Sequence, residues 1–174
     1  MSPTGKGLHG QLPATINPVE LAEQGARLSG TLPLKSMSRL MQACLGNGGE
    51  AQVDLHFGRA EIGNVLEMTG TVGATVRVAC QRCLEPMELE LRTETRLLLL
   101  RAGEREESLS QEVDALVADR PLSLNQLVED ELLLVMPMIP LHPLARCPAR
   151  EHVEAPGAVP KAKPLATLGR LKRT

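Results

Sequence analysis

The stretch Thr71-Val72-Gly73-Ala74-Thr75-Val76-Arg77-Val78-Ala79-Cys80-Gln81-Arg82-Cys83-Leu84-Glu85-Pro86-Met87-Glu88-Leu89-Glu90-Leu91-Arg92 decides the fold. In its first half Val72, Ala74, Val76 and Val78 alternate with Thr71, Thr75 and Arg77. In its second half Met87, Leu89 and Leu91 alternate with Glu88, Glu90 and Arg92, and Glu94 and Arg96 continue the polar set. Side chains along a strand point to opposite faces with a period of two, so each half is a strand with one apolar and one polar side. Residues 81–86 form the connection of a hairpin. Cys80 closes its first strand, so both cysteines of Cys80-x-x-Cys83 fall at the turn.

Working upstream, the same period begins at Glu50, with Val53, Leu55 and Phe57 on one face and Asp54, His56 and Gly58 on the other. His56 therefore reads as a solvent-facing strand residue and not as a ligand. Residues 11–16, 26–34 and 113–118 are further extended candidates. Asn17-Pro18-Val19-Glu20 combines an N-cap residue, proline at the first helical position and an acid in the first turn, which starts a short helix reaching Gly25. A second short helix is expected over about 38–44, where Leu40, Met41 and Cys44 share a face and Gly46-Asn47-Gly48 supplies the stop, making Cys44 a core residue. Ser123-Leu124-Asn125-Gln126 is a capping box opening a helix to Met136, which Pro137 ends. Its acidic trio Glu129, Asp130 and Glu131 reads as a solvated helix face, and residues 132–135, apolar on every side, are expected to be buried. Residues 103–108 read as a charged surface loop. The fold class that follows is α+β: an antiparallel sheet of roughly five to seven strands centred on the 64–100 hairpin, with the 123–136 helix covering one face and short N-terminal helices. One apolar sheet face needs a second layer or closure, so a curved sheet or a partly closed barrel is expected.

A length of 174 residues suits one domain. The expected division is a body over 1–148 and a flexible basic tail over 149–174, joined through a Pro-rich segment at 155–164. Charge is split along the chain. The last 29 residues carry seven basic and two acidic groups, which leaves 12 basic against 19 acidic in the rest, a body of −7. Contact with a polyanion would then reside in the tail, a merely solubilising tail being the other reading of the same charge. One Phe and no Tyr or Trp weaken any reading based on stacked bases. No apolar run approaches the roughly 20 residues that span a bilayer, and the N-terminus has no apolar signal core, so a cytoplasmic location is expected, with no membrane partner.

In a reducing compartment four cysteines are an improbable disulfide framework. Cys80 and Cys83 are followed, with 58 residues between the pairs, by His142 and Cys147, spaced as a second ligand pair. Structural zinc takes four S/N ligands delivered as two close pairs, so a Cys₃His site is one reading. A bare pair of reduced thiols is another, since the separation exceeds that of ordinary zinc fingers. A redox pair is the third, disfavoured because the motif sits in a β-turn and not at a helix N-terminus, where a thiolate is stabilised. No Ser/His/Asp arrangement appears, and Gly46-Asn47-Gly48-Gly49 lacks the Lys-Ser/Thr of a phosphate loop. An enzyme is not expected.

Several motifs together resemble a known family. They are Cys80-Gln81-Arg82-Cys83-Leu84-Glu85-Pro86, then Leu127-Val128-Glu129-Asp130-Glu131-Leu132-Leu133-Leu134, then Met136-Pro137-Met138-Ile139-Pro140-Leu141-His142 with Cys147, and finally Lys163-Pro164-Leu165-Ala166-Thr167-Leu168-Gly169-Arg170-Leu171-Lys172. With the opening Leu12-Pro13-Ala14-Thr15-Ile16-Asn17-Pro18, this order is similar to that of the YceD family of large ribosomal RNA subunit accumulation proteins. The resemblance implies a small cytoplasmic protein needed for accumulation or maturation of large-subunit (23S) ribosomal RNA, with no catalytic residues to carry over.

The expected function is thus that of a non-enzymatic ribosome-biogenesis factor acting on precursor rRNA or on large-subunit assembly proteins. Lys161, Lys163, Arg170, Lys172 and Arg173 are the candidate RNA-binding residues, and Cys80, Cys83, His142 and Cys147 the candidate zinc ligands. The alternative is an adaptor whose acidic body docks a ribosomal protein or ribonuclease without touching RNA. A nuclease using residues 129–131 is a third, weaker reading.

Overall fold

A computed structural model describes residues 7–46, 48–60, 65–101, 114–118 and 120–151. Its frame is a six-stranded sheet in the order β1 (Gly7–Gln11), β3 (Arg27–Pro33), β4 (Glu50–Arg59), β5 (Leu66–Ala79), β6 (Pro86–Leu100), β7 (Asp114–Val117). A two-stranded ribbon pairs β2 (Thr15–Ile16) with β8 (Leu122–Ser123). The three inner pairings are antiparallel, but β1 joins β3 and β7 joins β6 in parallel. The α+β expectation holds. The sheet runs from β1 to β7 without closing on itself, so the barrel alternative is not realised.

The register turns the period-two pattern into one continuous apolar face. Val53 lies opposite Val72, Phe57 opposite Met68, Val76 opposite Leu89 and Val78 opposite Met87. Leu28 and Leu32 of β3 extend the same face. Against it pack α1 (Pro18–Glu23) on β4 and β5, and α3 (Leu124–Val135) on β5 and β6. Closure therefore gives way to a second layer of helices, the other means of drying an apolar sheet face. The opposite face is polar. There Arg27 grips Asp54 through two hydrogen bonds of 2.8 and 2.7 Å, Arg96 reaches Glu67 at 3.0 Å, and His56 is exposed, as expected.

Local rules act where they were read. The Asn17 side chain accepts from the Glu20 N–H, Pro18 opens α1, and Gly25 supplies the left-handed turn (φ +61°) that ends it. Ser123 caps α3 by accepting from the Gln126 N–H. The expected strand over 11–16 is instead split into β1 and β2. The helix at 38–44 is α2 (Ser38–Gln42), and Cys44 beyond it is only partly buried, packed on the edge of the core. The second half of α3 corrects a further expectation. Leu132 is fully buried, yet Leu134 is 82% exposed and Val135 37%, because only one side of the helix meets the sheet. The 103–108 loop, Asn64 and the tail from residue 152 lie outside the described residues.

Candidate metal centre

Cys80 follows directly on β5, and the turn 81–83 places Cys83 just ahead of β6. The turn is closed by two backbone bonds, Leu84 N–H to Cys80 O at 2.8 Å and Cys80 N–H to Glu85 O at 2.9 Å. Leu84 takes a left-handed conformation (φ +63°) to make this possible. Pro137 stops the helical run, and the chain after α3 returns across the hairpin tip, where the Gln81 N–H donates to Pro140 O at 2.8 Å. That bond delivers His142. A single 3₁₀ turn, Leu144–Arg146, then reverses the chain and brings in Cys147, whose N–H donates to Leu144 O at 3.2 Å.

The outcome is a cluster in which one donor atom from each of Cys80, Cys83, His142 and Cys147 lies within 4.8 Å of every other. Cys83 Sγ is 3.3 Å from His142 Nδ1, and the backbone N–H of His142 donates to Cys80 Sγ at 3.3 Å. Cys80 and Cys147 are buried and the other two partly so. A tetrahedral ion with arms of about 2.0–2.3 Å has donor–donor edges of about 3.5–3.8 Å, so these side chains need only small shifts to enclose one.

The electrostatics favour a cation. Burial alone would raise the Cys80 pKa, but N–H groups of His142, Cys83 and Arg82 point at its sulfur and bring it down to about 5. Cys83 moves the other way. Burial, and the neighbouring sulfurs of Cys80 and Cys147, raise its pKa against a single helping N–H from Glu85. One thiolate is thus readily formed, while a second beside it meets like-charge repulsion that a divalent cation would remove. The four residues are chemically matched to a metal of the zinc type, and this is the one group of metal-binding character among the described residues.

The acidic trio of α3 is a solvated face only in part, Asp130 being exposed and Glu131 half-buried. Glu129 is buried, its side chain 5% exposed. One carboxylate oxygen accepts the backbone N–H groups of Arg39 (2.6 Å) and Leu40 (3.0 Å), and the other accepts the Arg39 guanidinium at 3.1 and 2.9 Å. Burial pushes its pKa up, but these bonds outweigh it and hold the carboxyl below its ordinary value. Asp130 meets the same guanidinium at 2.7 Å. Glu131 is pushed up by burial, with Thr95 bonding in the opposite sense and Asp114 and Asp130 adding to the rise. Sequence reasoning missed this contact, although a signal existed. Helix α2 begins after Met37, which cannot cap it, so its first N–H groups needed an acceptor from elsewhere in the chain. Glu129 is fully occupied as that cap, which leaves its carboxylate no free oxygen for a metal or for base chemistry.

A concavity of about 540 Å³ lies on the polar sheet face between Ser29, Thr31, Gln52, Thr71 and Arg92 and includes none of the four cluster residues. The candidate RNA-binding residues Lys161, Lys163, Arg170, Lys172 and Arg173 lie outside the described residues. No described helix is long and apolar enough to cross a membrane.

Comparison with known proteins adds the following. A family model described as large ribosomal RNA subunit accumulation protein YceD matches residues 68–172, more than half of the chain. A relative from Haemophilus influenzae (strain ATCC 51907 / DSM 11121 / KW20 / Rd), named large ribosomal RNA subunit accumulation protein YceD, is 26% identical over 170 residues, covering 94% of this chain and 97% of the relative. No solved structure matches.

Proposed function

Because the chain belongs to the YceD family of large ribosomal RNA subunit accumulation proteins, we propose that it acts in the cytoplasm as a non-enzymatic factor promoting accumulation or maturation of 23S rRNA. Family membership is the observation that carries this reading. Within it, the body over 1–148 is the folded platform. The tail over 149–174 supplies phosphate contacts through Lys161, Lys163, Arg170, Lys172 and Arg173. Cys80, Cys83, His142 and Cys147 hold a structural zinc ion that clips the irregular 137–148 segment to the hairpin tip. The ion would supply cross-linking energy and not chemistry, since four protein donors leave no open position for a substrate.

A second reading is favoured by the body's net charge of −7. An acidic body suits a basic ribosomal protein or ribonuclease, making the chain an adaptor. The two readings separate in one experiment: crosslinking and pull-down of the tagged full chain from growing cells, with RNA and protein read out together, followed by salt titration of purified protein on 23S rRNA. Direct contact predicts affinity falling steeply with salt, and Arg170→Ala/Lys172→Ala/Arg173→Ala should flatten the log–log slope by about 2 to 3. Enrichment of neither rRNA precursors nor large-subunit assembly proteins would overturn both.

A further inference from the structure

Large apolar side chains stand in solvent all round the four-donor cluster. Leu84 is 74% exposed, Met138 98% and Ile139 65%, with Leu141 and Leu144 at 40% and 38%. Leu84 adjoins Cys83, Met138 and Ile139 precede Pro140, which bonds to the hairpin tip, and Leu141 and Leu144 flank His142, so all five stand on the segments that carry the four donors. Exposed apolar patches of this kind mark contact sites. Leu84 adds an independent sign. Its left-handed backbone (φ +63°) would suit glycine and is unfavourable by about 1–2 kcal/mol for any residue with a Cβ. The backbone of Leu84 closes the turn, but its side chain stands outside the core at this strained position.

The occupant that best fits is the chain's own end. The described residues stop at Glu151, four residues after Cys147, so 23 further residues follow from a point close in sequence to the cluster. In it Leu165, Leu168 and Leu171 recur at intervals of three, the spacing that gathers side chains on one helical face. The 14 residues from 151 to 165 reach up to about 46 Å when extended and about 20 Å on average as a coil, ample for a return to a site this near. Tethering raises the effective concentration to the millimolar range, an advantage no second copy has at cellular levels. Exposed Glu85 beside Leu84 complements the segment's basic charge.

We propose that Leu165, Leu168 and Leu171 dock on the apolar rim of Leu84, Met138 and Ile139, displaying the basic residues of the same segment beside the four-donor cluster. The use of that display for RNA rests on the function proposed above, whereas the docking itself does not.

The test uses the full chain with a benzophenone amino acid replacing Leu168, irradiated at low concentration and mapped by mass spectrometry. Crosslinks to peptides holding residue 84 or 138–139, at monomer mass, are expected, and Met138→Asp/Ile139→Asp should cut their yield at least fivefold with an unchanged far-UV CD spectrum. Crosslinks at dimer mass that grow with concentration, crosslinks elsewhere on the body, or a yield indifferent to Met138→Asp/Ile139→Asp would each overturn the docking. The Arg170→Ala/Lys172→Ala/Arg173→Ala chain should keep its crosslink. If it does so while binding 23S rRNA normally, docking stands and the RNA reading of the tail falls.

Discussion

Replacing Glu129 with Ala should destabilise the protein by about 2–4 kcal/mol. The figure is built from its hydrogen bonds. The Leu40 N–H is buried and loses a charged acceptor, an omission that costs about 1–3 kcal/mol. The Arg39 N–H and guanidinium lie closer to solvent, with the Arg39 side chain 51% exposed, so water replaces much of what they lose and they add about 1 kcal/mol. For a chain of this size the sum lowers Tm by about 5–15 °C. With no Trp or Tyr to report, urea unfolding followed by far-UV CD is the suitable assay. Asp130→Ala serves as the internal control: its bridge to Arg39 is half exposed and worth less than about 1 kcal/mol. The pH dependence has a definite sign. The folded Glu129 carboxyl titrates below its ordinary value of 4.5, so its contribution is complete above the unfolded-state pKa and is lost as pH falls through the folded one. The gap between Glu129→Gln and the parent should therefore close in acid. Equal losses for Glu129→Ala and Asp130→Ala, both under 1 kcal/mol, would refute the capping argument.

Gly70→Ala should lose at least about 3 kcal/mol or fail to fold, because a Cβ there would lie 2.1 Å from the Asp54 backbone oxygen; a soluble variant within 1 kcal/mol of the parent would show that β4 and β5 have room to part. Purified full-length protein should carry one zinc per chain by atomic emission, and chelation or Cys83→Ser should lower Tm by several degrees; a metal-free preparation with the same Tm would favour bare thiols. Glu131 is the mirror of Glu129: its folded pKa is raised, so its ionisation weakens the fold as pH rises past the unfolded value. Glu131→Gln should accordingly raise Tm at pH 7 and not at pH 4, and a gain independent of pH would point to a packing effect.

What the sequence reveals depends on how local the responsible interaction is. The β5–β6 hairpin, the Asn17 and Ser123 caps and the Gly25 stop are written in neighbouring residues, and each appears in place. The four donors were legible by residue type, but whether Cys80-x-x-Cys83 met His142 and Cys147 depended on the return of the chain after Pro137, held by one bond from Gln81 to Pro140 that no pattern announces. The parallel joins of β1 and β7 are long-range and leave no periodicity. Residues 129–131 show the limit most clearly, since a run of three acids reads as surface until the uncapped start of α2, 90 residues upstream, claims one of them.

The separation of Cys83 from His142 has a consequence in time. A ribosome extends a chain at about 5–20 residues per second, so the two thiols of the turn emerge roughly 3–12 seconds before the imidazole does. Hairpins form in about 1–10 microseconds. The β5–β6 ribbon, whose pairing needs nothing downstream, is therefore finished while the residues of α3 are still being joined. For those seconds the nascent protein presents a two-thiol pincer with vacant coordination sites, open to any soft metal or oxidant it meets. His142 and Cys147 shut that window, so for the zinc centre proposed above the order of synthesis makes arrival of the second pair the committing step.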